Sequence, residues 1–379
     1  MSRPTIMIAG AGGIGQAVAL LIAEQNAFEA NIYLGDIDVE KANNALLWIQ
    51  SSVPSEIIMK SFQMAGDGLT DEMKEALEKS DVLLDCLPGS LAPTMASYAM
   101  EYKLHYANLT EYVRETDEIV ALTQQANTGF ILQTGLAPGY INVLAMQLYN
   151  KFTSIYEVDT VDRLSMKVGA LTRNAQAPHF YGFTWSPIGV ATEYLKDAWV
   201  VRDSKKTTVP ALSETEKLIL DGVHYEDDYT SGGAADLPDA LAGKVRALDY
   251  KTIRYPGHYD WVRRQLTTIP QDRERVQELE ERMLNNIPRV EDDIVVIYAA
   301  VTGKDAHGNL HKIEKSLRIP PIDIGRTRLR AIQATTAAPM VECARMLVED
   351  KYKGPVFQSQ IDPDSFLSGP FVKRVYQSI

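Results

Sequence analysis

With 379 residues and 45% apolar content, the chain is long for one hydrophobic core and carries enough apolar material for two domains. Its net charge of −12, with no long run of Lys and Arg, argues against nucleic acid as a partner. The longest apolar stretch, Ala17 to Ala23, is too short to cross a bilayer, so no membrane association is expected. Cys86 and Cys343 stand far apart, outside any zinc spacing, and no leader pattern precedes the first apolar run, so the expected location is the cytoplasm.

From Thr5 to about Leu132 short apolar runs alternate with longer amphipathic segments, the pattern of a parallel sheet covered by helices. Strands are expected at Thr5–Ala9, Asn31–Leu34, near Ile57–Phe62, and at Val82–Cys86, Tyr106–Leu109 and Gly129–Leu132. Helical spacing marks Val39–Gln50, Pro93–Tyr102 and Glu115–Gln125. After Pro138 the rhythm changes to longer strands and hairpins, with strands expected at Val158–Gly169, Val245–Tyr255, Ile294–Thr302 and Leu310–Leu317. A second, α+β domain is the expectation. A long helix from Arg330 to Asp350, rich in small residues, is expected to return to the first domain.

Gly10-Ala11-Gly12-Gly13-Ile14-Gly15 follows the first strand directly and opens an apolar helix. That context fits a dinucleotide-binding Rossmann turn: Gly10 permits the tight bend, Gly12 lets a pyrophosphate approach the backbone, and Gly15 lets helix and strand pack closely. Gly13 and Ile14 supply N–H groups at the helix start. Asp36 closes the second strand about twenty residues after the last glycine, where a carboxylate can accept both ribose hydroxyls and repel a 2′-phosphate. Positions 37–40 hold no Arg or Lys, so the expected cofactor is NAD. Leu87 and Pro88 end another strand at the sheet's carboxyl edge and are expected beside the nicotinamide half.

Three further groups of residues carry a resemblance. Ser80 to Pro88, continued by Leu104 to Val113, is similar to the cofactor domain of saccharopine dehydrogenases, and Gly135 to Asn142 resembles the turn that leaves that domain. Phe183 to Gly189, Thr230 to Gly233 and Tyr250 to His258 resemble signatures of the inserted domain. The chain is thus similar to the saccharopine dehydrogenase family, which includes L-lysine 6-dehydrogenase and carboxynorspermidine dehydrogenase. Ala137-Pro138-Gly139 is closer to the lysine 6-dehydrogenase branch, whereas Phe183 to Pro187 leans toward saccharopine.

The resemblance implies an NAD(P) enzyme that oxidises an amine to an imine, which water then hydrolyses, and a homodimer formed through the middle-domain sheet. The expected fold class is α/β. An N-terminal doubly wound parallel Rossmann sheet, residues 1–137 completed by the C-terminal helix within 328–379, would carry an inserted α+β substrate and dimerisation domain at 138–327.

Such chemistry needs one base for the amine and cations for substrate carboxylates. Arg254, in the run ending at a Pro-Gly turn, is the first candidate for carboxylate binding, with Lys251 a second cation and Arg173 a weaker third. A surface strand Arg is the plain alternative for Arg254. His258 is a candidate base, or simply a histidine at a helix start. Tyr112 and Asn108 follow a strand of the sheet and are placed to orient an amine or the nicotinamide amide, unless they only pack. Ser231 with Gly232 and Gly233 offers a hydroxyl and backbone N–H groups for a second carboxylate, or merely a flexible turn. His307 and His311 flank a hairpin turn, not one helix face, so no metal is expected. The leading substrate is saccharopine, with glutamate as product, followed by L-lysine. A non-catalytic NAD(H)-binding protein is the reading from another class.

Overall fold

The computed structural model describes residues 3–24, 28–110 and 113–377. The chain forms two compact units: the first takes the described residues up to Tyr140, Ile322–Leu329 and those from Gln333 onward, and the second takes Ile141–Pro321 with Arg330–Ile332.

The first unit alternates strand and helix: β1 (Thr5–Ala9), α1 (Gly13–Glu24), β2 (Asn31–Asp36), α2 (Val39–Ser52), β3 (Met59–Gln63), α3 (Asp71–Lys79), β4 (Val82–Asp85), α4 (Ala92–Glu101), β5 (His105–Asn108), α5 (Val113–Thr123) and β6 (Gly129–Ile131). Ile6–Ile8 and Val82–Leu84 are apolar at every position and fully buried, as strands covered by helices on both faces must be.

Next in the chain come α6 (Tyr140–Tyr156), β7 (Val161–Thr172), α7 (Pro187–Glu193), β8 (Ala198–Arg202), β9 (Lys205–Val209), β10 (Glu216–Leu220), β11 (Val223–Tyr229), α8 (Leu237–Ala240), β12 (Val245–Arg254), α9 (His258–Leu266), α10 (Arg275–Asn286), β13 (Asp293–Lys304) and β14 (Leu310–Ile319). The chain ends with β15 (Ile322–Ile324), β16 (Thr327–Leu329), α11 (Ala331–Val348), β17 (Gly354–Val356), α12 (Pro363–Leu367) and α13 (Pro370–Tyr376).

Seven parallel strands form the first sheet in the order β17-β6-β5-β4-β1-β2-β3. The chain steps outward from β1 through β2 to β3 and then returns to β4, so the connections diverge between β1 and β4. Ligands of open α/β sheets bind in the crevice at this point, beyond the carboxyl ends of the strands. The C-terminal segment adds an edge strand, β17, as well as the expected helix. β17 pairs with β6 from Gly354↔Gly129 to Val356↔Ile131.

The second unit is built on a mixed sheet, β10-β11-β12-β7-β13-β14, with β8 paired to β12 and β9. β12 and β7 are its parallel pair. The segment after Pro138 begins as the helix α6 and not as a strand. Tyr181, Phe183, Tyr194, Tyr259 and Trp261 pack together in a core beside α7, α9 and α10.

Candidate functional site

In the first unit the glycine-rich loop is shaped by contacts that only glycine allows. Gly10 turns with φ +99°, and a β-carbon on it would lie 3.1 Å from the Cys86 carbonyl oxygen. Gly15 is tighter: its β-carbon would stand 1.9 Å from the Gly10 carbonyl oxygen. Above Gly12 the opposite holds, with no atom within 4 Å of the β-carbon position. That open space lies at the start of α1, whose first-turn N–H groups have no intrahelical acceptor, so the loop fits a pyrophosphate group.

Asp36 ends β2 next to this loop and is 6% exposed. Its carboxylate accepts the Ala11 N–H at 2.8 Å, the Asp38 N–H at 3.1 Å and the Lys41 ammonium at 2.9 Å. Burial works to raise its pKa, but Lys41 and the two backbone donors outweigh it and hold the carboxyl below its ordinary value. The cation that meets Asp36 is Lys41, one position beyond the segment 37–40 that holds no Arg or Lys.

Leu87 and Pro88 form the turn after β4. The Leu87 N–H donates to Asp85 Oδ1 at 3.0 Å, and the Pro88 carbonyl accepts the Leu91 N–H at 2.9 Å. Asp85 is itself buried, and its Oδ2 accepts the Tyr106 hydroxyl at 2.8 Å. Burial pushes its pKa up to about 6 against the pull of those two donors.

Asn108, the last residue of β5, is 1% exposed. Its Oδ1 accepts the Gln133 N–H at 2.8 Å, its carbonyl accepts the Thr134 N–H at 2.8 Å, and its Nδ2 has no hydrogen-bond partner among the described residues. A buried amide donor at the carboxyl edge, interacting with the Tyr106 hydroxyl, could also meet a carboxamide oxygen. Tyr112 lies outside the described residues.

In the second unit Arg254 and His258 come together through a residue sixty positions earlier. Arg254 Nε donates to the Tyr194 hydroxyl oxygen at 2.7 Å, and Nη1 donates to the Ile253 carbonyl at 3.0 Å. The guanidinium also lies over the Tyr181 ring, 4.8 Å from its centroid. His258 Nδ1 is 2.7 Å from the His179 carbonyl oxygen, which can only accept, so Nδ1 carries the proton. Nε2 is then the acceptor of the Tyr194 hydroxyl at 3.0 Å. Burial, reinforced by the Arg254 charge, drives the His258 pKa down to about 3. The imidazole is neutral at pH 7 and its lone pair is already committed.

Lys251 and Arg254 do not meet. Side chains alternate across a strand, and Lys251 is on the opposite face of β12 from Arg254. There it is fully buried, donates to the Glu214 carbonyl at 3.0 Å, and pairs with Glu216 at 3.0 Å and Asp227 at 3.6 Å. Lys167 holds the other Asp227 oxygen at 2.6 Å. Arg173 is half exposed and pairs with Asp292. The Ser231 N–H donates to the Glu193 carbonyl at 3.1 Å, and the Gly233 carbonyl accepts the Asn142 amide at 3.0 Å. A β-carbon on Gly233 would fall 2.3 Å from the Tyr250 ring, so this turn is fixed by packing.

A doubly wound parallel sheet with a glycine turn, an acid ending β2 and a reversal of strand order between β1 and β4 defines a nucleotide-binding α/β protein of the dehydrogenase type. The chain matches the saccharopine dehydrogenase NADP binding domain over residues 6–132 and the saccharopine dehydrogenase C-terminal domain over residues 135–377. It belongs to the saccharopine dehydrogenase family of oxidoreductases. Among solved structures it resembles apo saccharopine dehydrogenase (L-Glu forming) from Saccharomyces cerevisiae, with a TM-score of 0.76, 14% identity and 98% of each chain covered. It also resembles the homospermidine synthase of Legionella pneumophila in complex with NAD, with a TM-score of 0.66, 12% identity, 99% of this chain and 90% of that one. Curated relatives include the mitochondrial alpha-aminoadipic semialdehyde synthases of Rattus norvegicus, 24% identical over 37% of this chain, and Mus musculus, 23% identical over 45%. The matches span 15% and 19% of those proteins' own length.

Proposed function

We propose that the protein is an NAD-dependent oxidoreductase acting on the C–N bond of an amino acid or opine. Saccharopine is the favoured substrate, with L-glutamate and an aminoadipate semialdehyde as products in lysine metabolism. The observation that carries the redox part is the carboxylate of Asp36 beside the open space over Gly12. One group accepts ribose hydroxyls and the other admits the pyrophosphate. The family and the fold it shares with the yeast enzyme support the choice of C–N chemistry.

In this reading a nicotinamide, when bound, would supply the hydride acceptor for the carbon next to nitrogen. The chain's own residues do the rest. The loop and the start of α1 hold the phosphates, Asp36 orients the adenosine ribose, and the Leu87–Pro88 turn with the Asn108 amide borders the nicotinamide half. Arg254, 1% exposed, is the group that meets a substrate carboxylate, through the guanidinium N–H groups left over by Tyr194 and Ile253, with Ser231 near a second one. His258 locks Tyr194 in place and takes no substrate proton. Oxidation would take one hydride from the carbon to the cofactor and one proton from the nitrogen to solvent, and water adds to the resulting imine to release the two products.

Purified protein is to be assayed by NADH absorbance with saccharopine and with L-lysine, each with NAD and with NADP. NADH formation with saccharopine supports the reading. Reduction of NAD by lysine alone replaces saccharopine with lysine. Tight NADH binding with no turnover of either amine makes it a non-catalytic binder. Sedimentation reads whether the chain is the proposed homodimer.

A further inference from the structure

Strand β4 ends against its own pattern. Val82, Leu83 and Leu84 are apolar and fully buried, and Asp85 after them is only 2% exposed. A carboxylate withdrawn from water is costly unless a cation compensates it. Among the described residues, the titratable groups that face Asp85 are Tyr106 from β5 and its neighbour Cys86, neither of them a cation, and α4 contributes the Ala92 carbonyl.

The hydrogen bonds around Asp85 are complete in either protonation state. The Tyr106 oxygen lies 2.8 Å from Asp85 Oδ2 and 3.2 Å from the Ala92 carbonyl oxygen. When Asp85 is ionised, the phenol donates to it. When Asp85 is protonated, its own O–H donates to the phenol oxygen, and the phenol hydrogen turns to Ala92. Oδ1 accepts the Leu87 N–H in both. Protonation therefore removes a charge and leaves no bond unmade.

That charge stands at the carboxyl edge of the sheet, next to the glycine loop proposed to hold the cofactor. Asp85 pairs with Ala9, the residue before Gly10, and the next carbonyl, that of Cys86, is the atom against which Gly10 packs. The two oxidation states of the cofactor differ in one respect such a charge can read, because the nicotinamide ring is cationic in NAD+ and neutral in NADH.

We infer that Asp85 is a specificity-determining residue for the oxidation state of the cofactor, its buried carboxylate favouring NAD+ over NADH. The inference rests on the cofactor reading above. By reciprocity the preference follows the proton on Asp85, and that carboxyl titrates near about 6.

Dissociation constants of NAD+ and NADH, measured by calorimetry on the full chain from about pH 5 to about pH 8, give the test. The preference for NAD+ is expected to grow about tenfold as pH rises through this range, a modest charge–charge effect inside a protein. Asp85→Asn flattens the profile at its acid-limb value. Tyr106→Phe, which deletes a donor to the carboxylate, moves the midpoint to higher pH, and this arm stands if Asp85→Asn fails to fold. A flat wild-type ratio, or the same slope in Asp85→Asn, overturns the inference. Binding of neither dinucleotide overturns the cofactor reading and the inference with it.

Discussion

The carbonyl oxygen of Gly10 occupies the place a β-carbon on Gly15 would need, 1.9 Å away, whereas a β-carbon on Gly12, three residues earlier, meets nothing within 4 Å. The same loop thus contains one glycine required by packing and one that borders open space. Gly15→Ala is expected to cost about 1–3 kcal/mol of stability through overpacking and to weaken NADH binding along with it. Gly12→Ala should leave the apoprotein's thermal midpoint almost unchanged and raise the NADH dissociation constant at least about tenfold. Thermal scans paired with fluorescence titration read both, and a Gly12→Ala protein that binds as tightly as wild type contradicts the placement of the pyrophosphate.

Asp36 and Lys41 form a pair in which the cation is half exposed and the anion is buried. Ribose hydroxyls compete with Lys41 for the same carboxylate, while a 2′-phosphate is repelled by Asp36 and drawn by Lys41. Asp36→Ala should reduce the preference for NAD over NADP by about tenfold or more. Lys41→Ala should weaken NADP binding more than NAD binding. Kinetic constants for each dinucleotide with each variant decide, and unchanged discrimination in Asp36→Ala removes the electrostatic basis for choosing NAD.

His258 bears on stability with a definite sign. Its folded pKa, about 3, lies below the ordinary value of about 6.5, so the unfolded chain binds the proton more readily. The neutral, buried imidazole contributes stability that is fully present above about 6.5 and declines by up to about 1.4 kcal/mol per pH unit as pH falls toward 3. Denaturant unfolding of wild type and His258→Gln between about pH 4 and about pH 7 isolates this slope as the difference between the two curves. Because the lone pair on Nε2 is engaged by Tyr194, no inflection in kcat/KM at mildly acidic pH should be traceable to His258. An inflection that vanishes in His258→Gln would return it to the role of base.

The cofactor loop was legible because all its determinants are local: a strand of four buried apolar residues, glycines at fixed offsets and an acid one strand later. Strands β1, β2, β4, β5 and β6 were legible for the same reason, each containing a short buried apolar run. What stayed hidden has particular causes. β17 is three residues including a proline, which no periodicity can mark, and it has meaning only as a partner of β6. β9 reads Lys-Lys-Thr-Thr-Val and is largely exposed, so it carries no apolar alternation. The helix α6 did have a signal, since Ile141, Leu144, Ala145 and Leu148 are spaced for one face, but it was outweighed by the strands that follow. Tyr194 joins Arg254 to His258 across sixty residues, a contact that sequence distance conceals. Asp85 was visible in principle as a lone carboxylate within the run Val82 to Cys86.

Lys251 and Arg254 were paired in sequence by proximity and are separated in space by the alternation of β12. Lys251 is enclosed by Glu214, Glu216 and Asp227 and sits 4.5 Å over the Tyr229 ring. Lys251→Met leaves those carboxylates with Lys167 as their main counter-charge, and loss of one member of a buried ionic group typically costs about 3–5 kcal/mol. Its expected signature is a lower thermal midpoint with the substrate KM within about twofold of wild type. Arg254→Lys should behave differently. A lysine cannot both donate to Tyr194 and present a planar fork, so the substrate KM should rise at least about tenfold while NADH affinity is kept. If instead Lys251→Met raises KM and Arg254→Lys does not, the carboxylate-binding face of this sheet is the opposite one, and the substrate site must be rebuilt around Lys167 and Lys251.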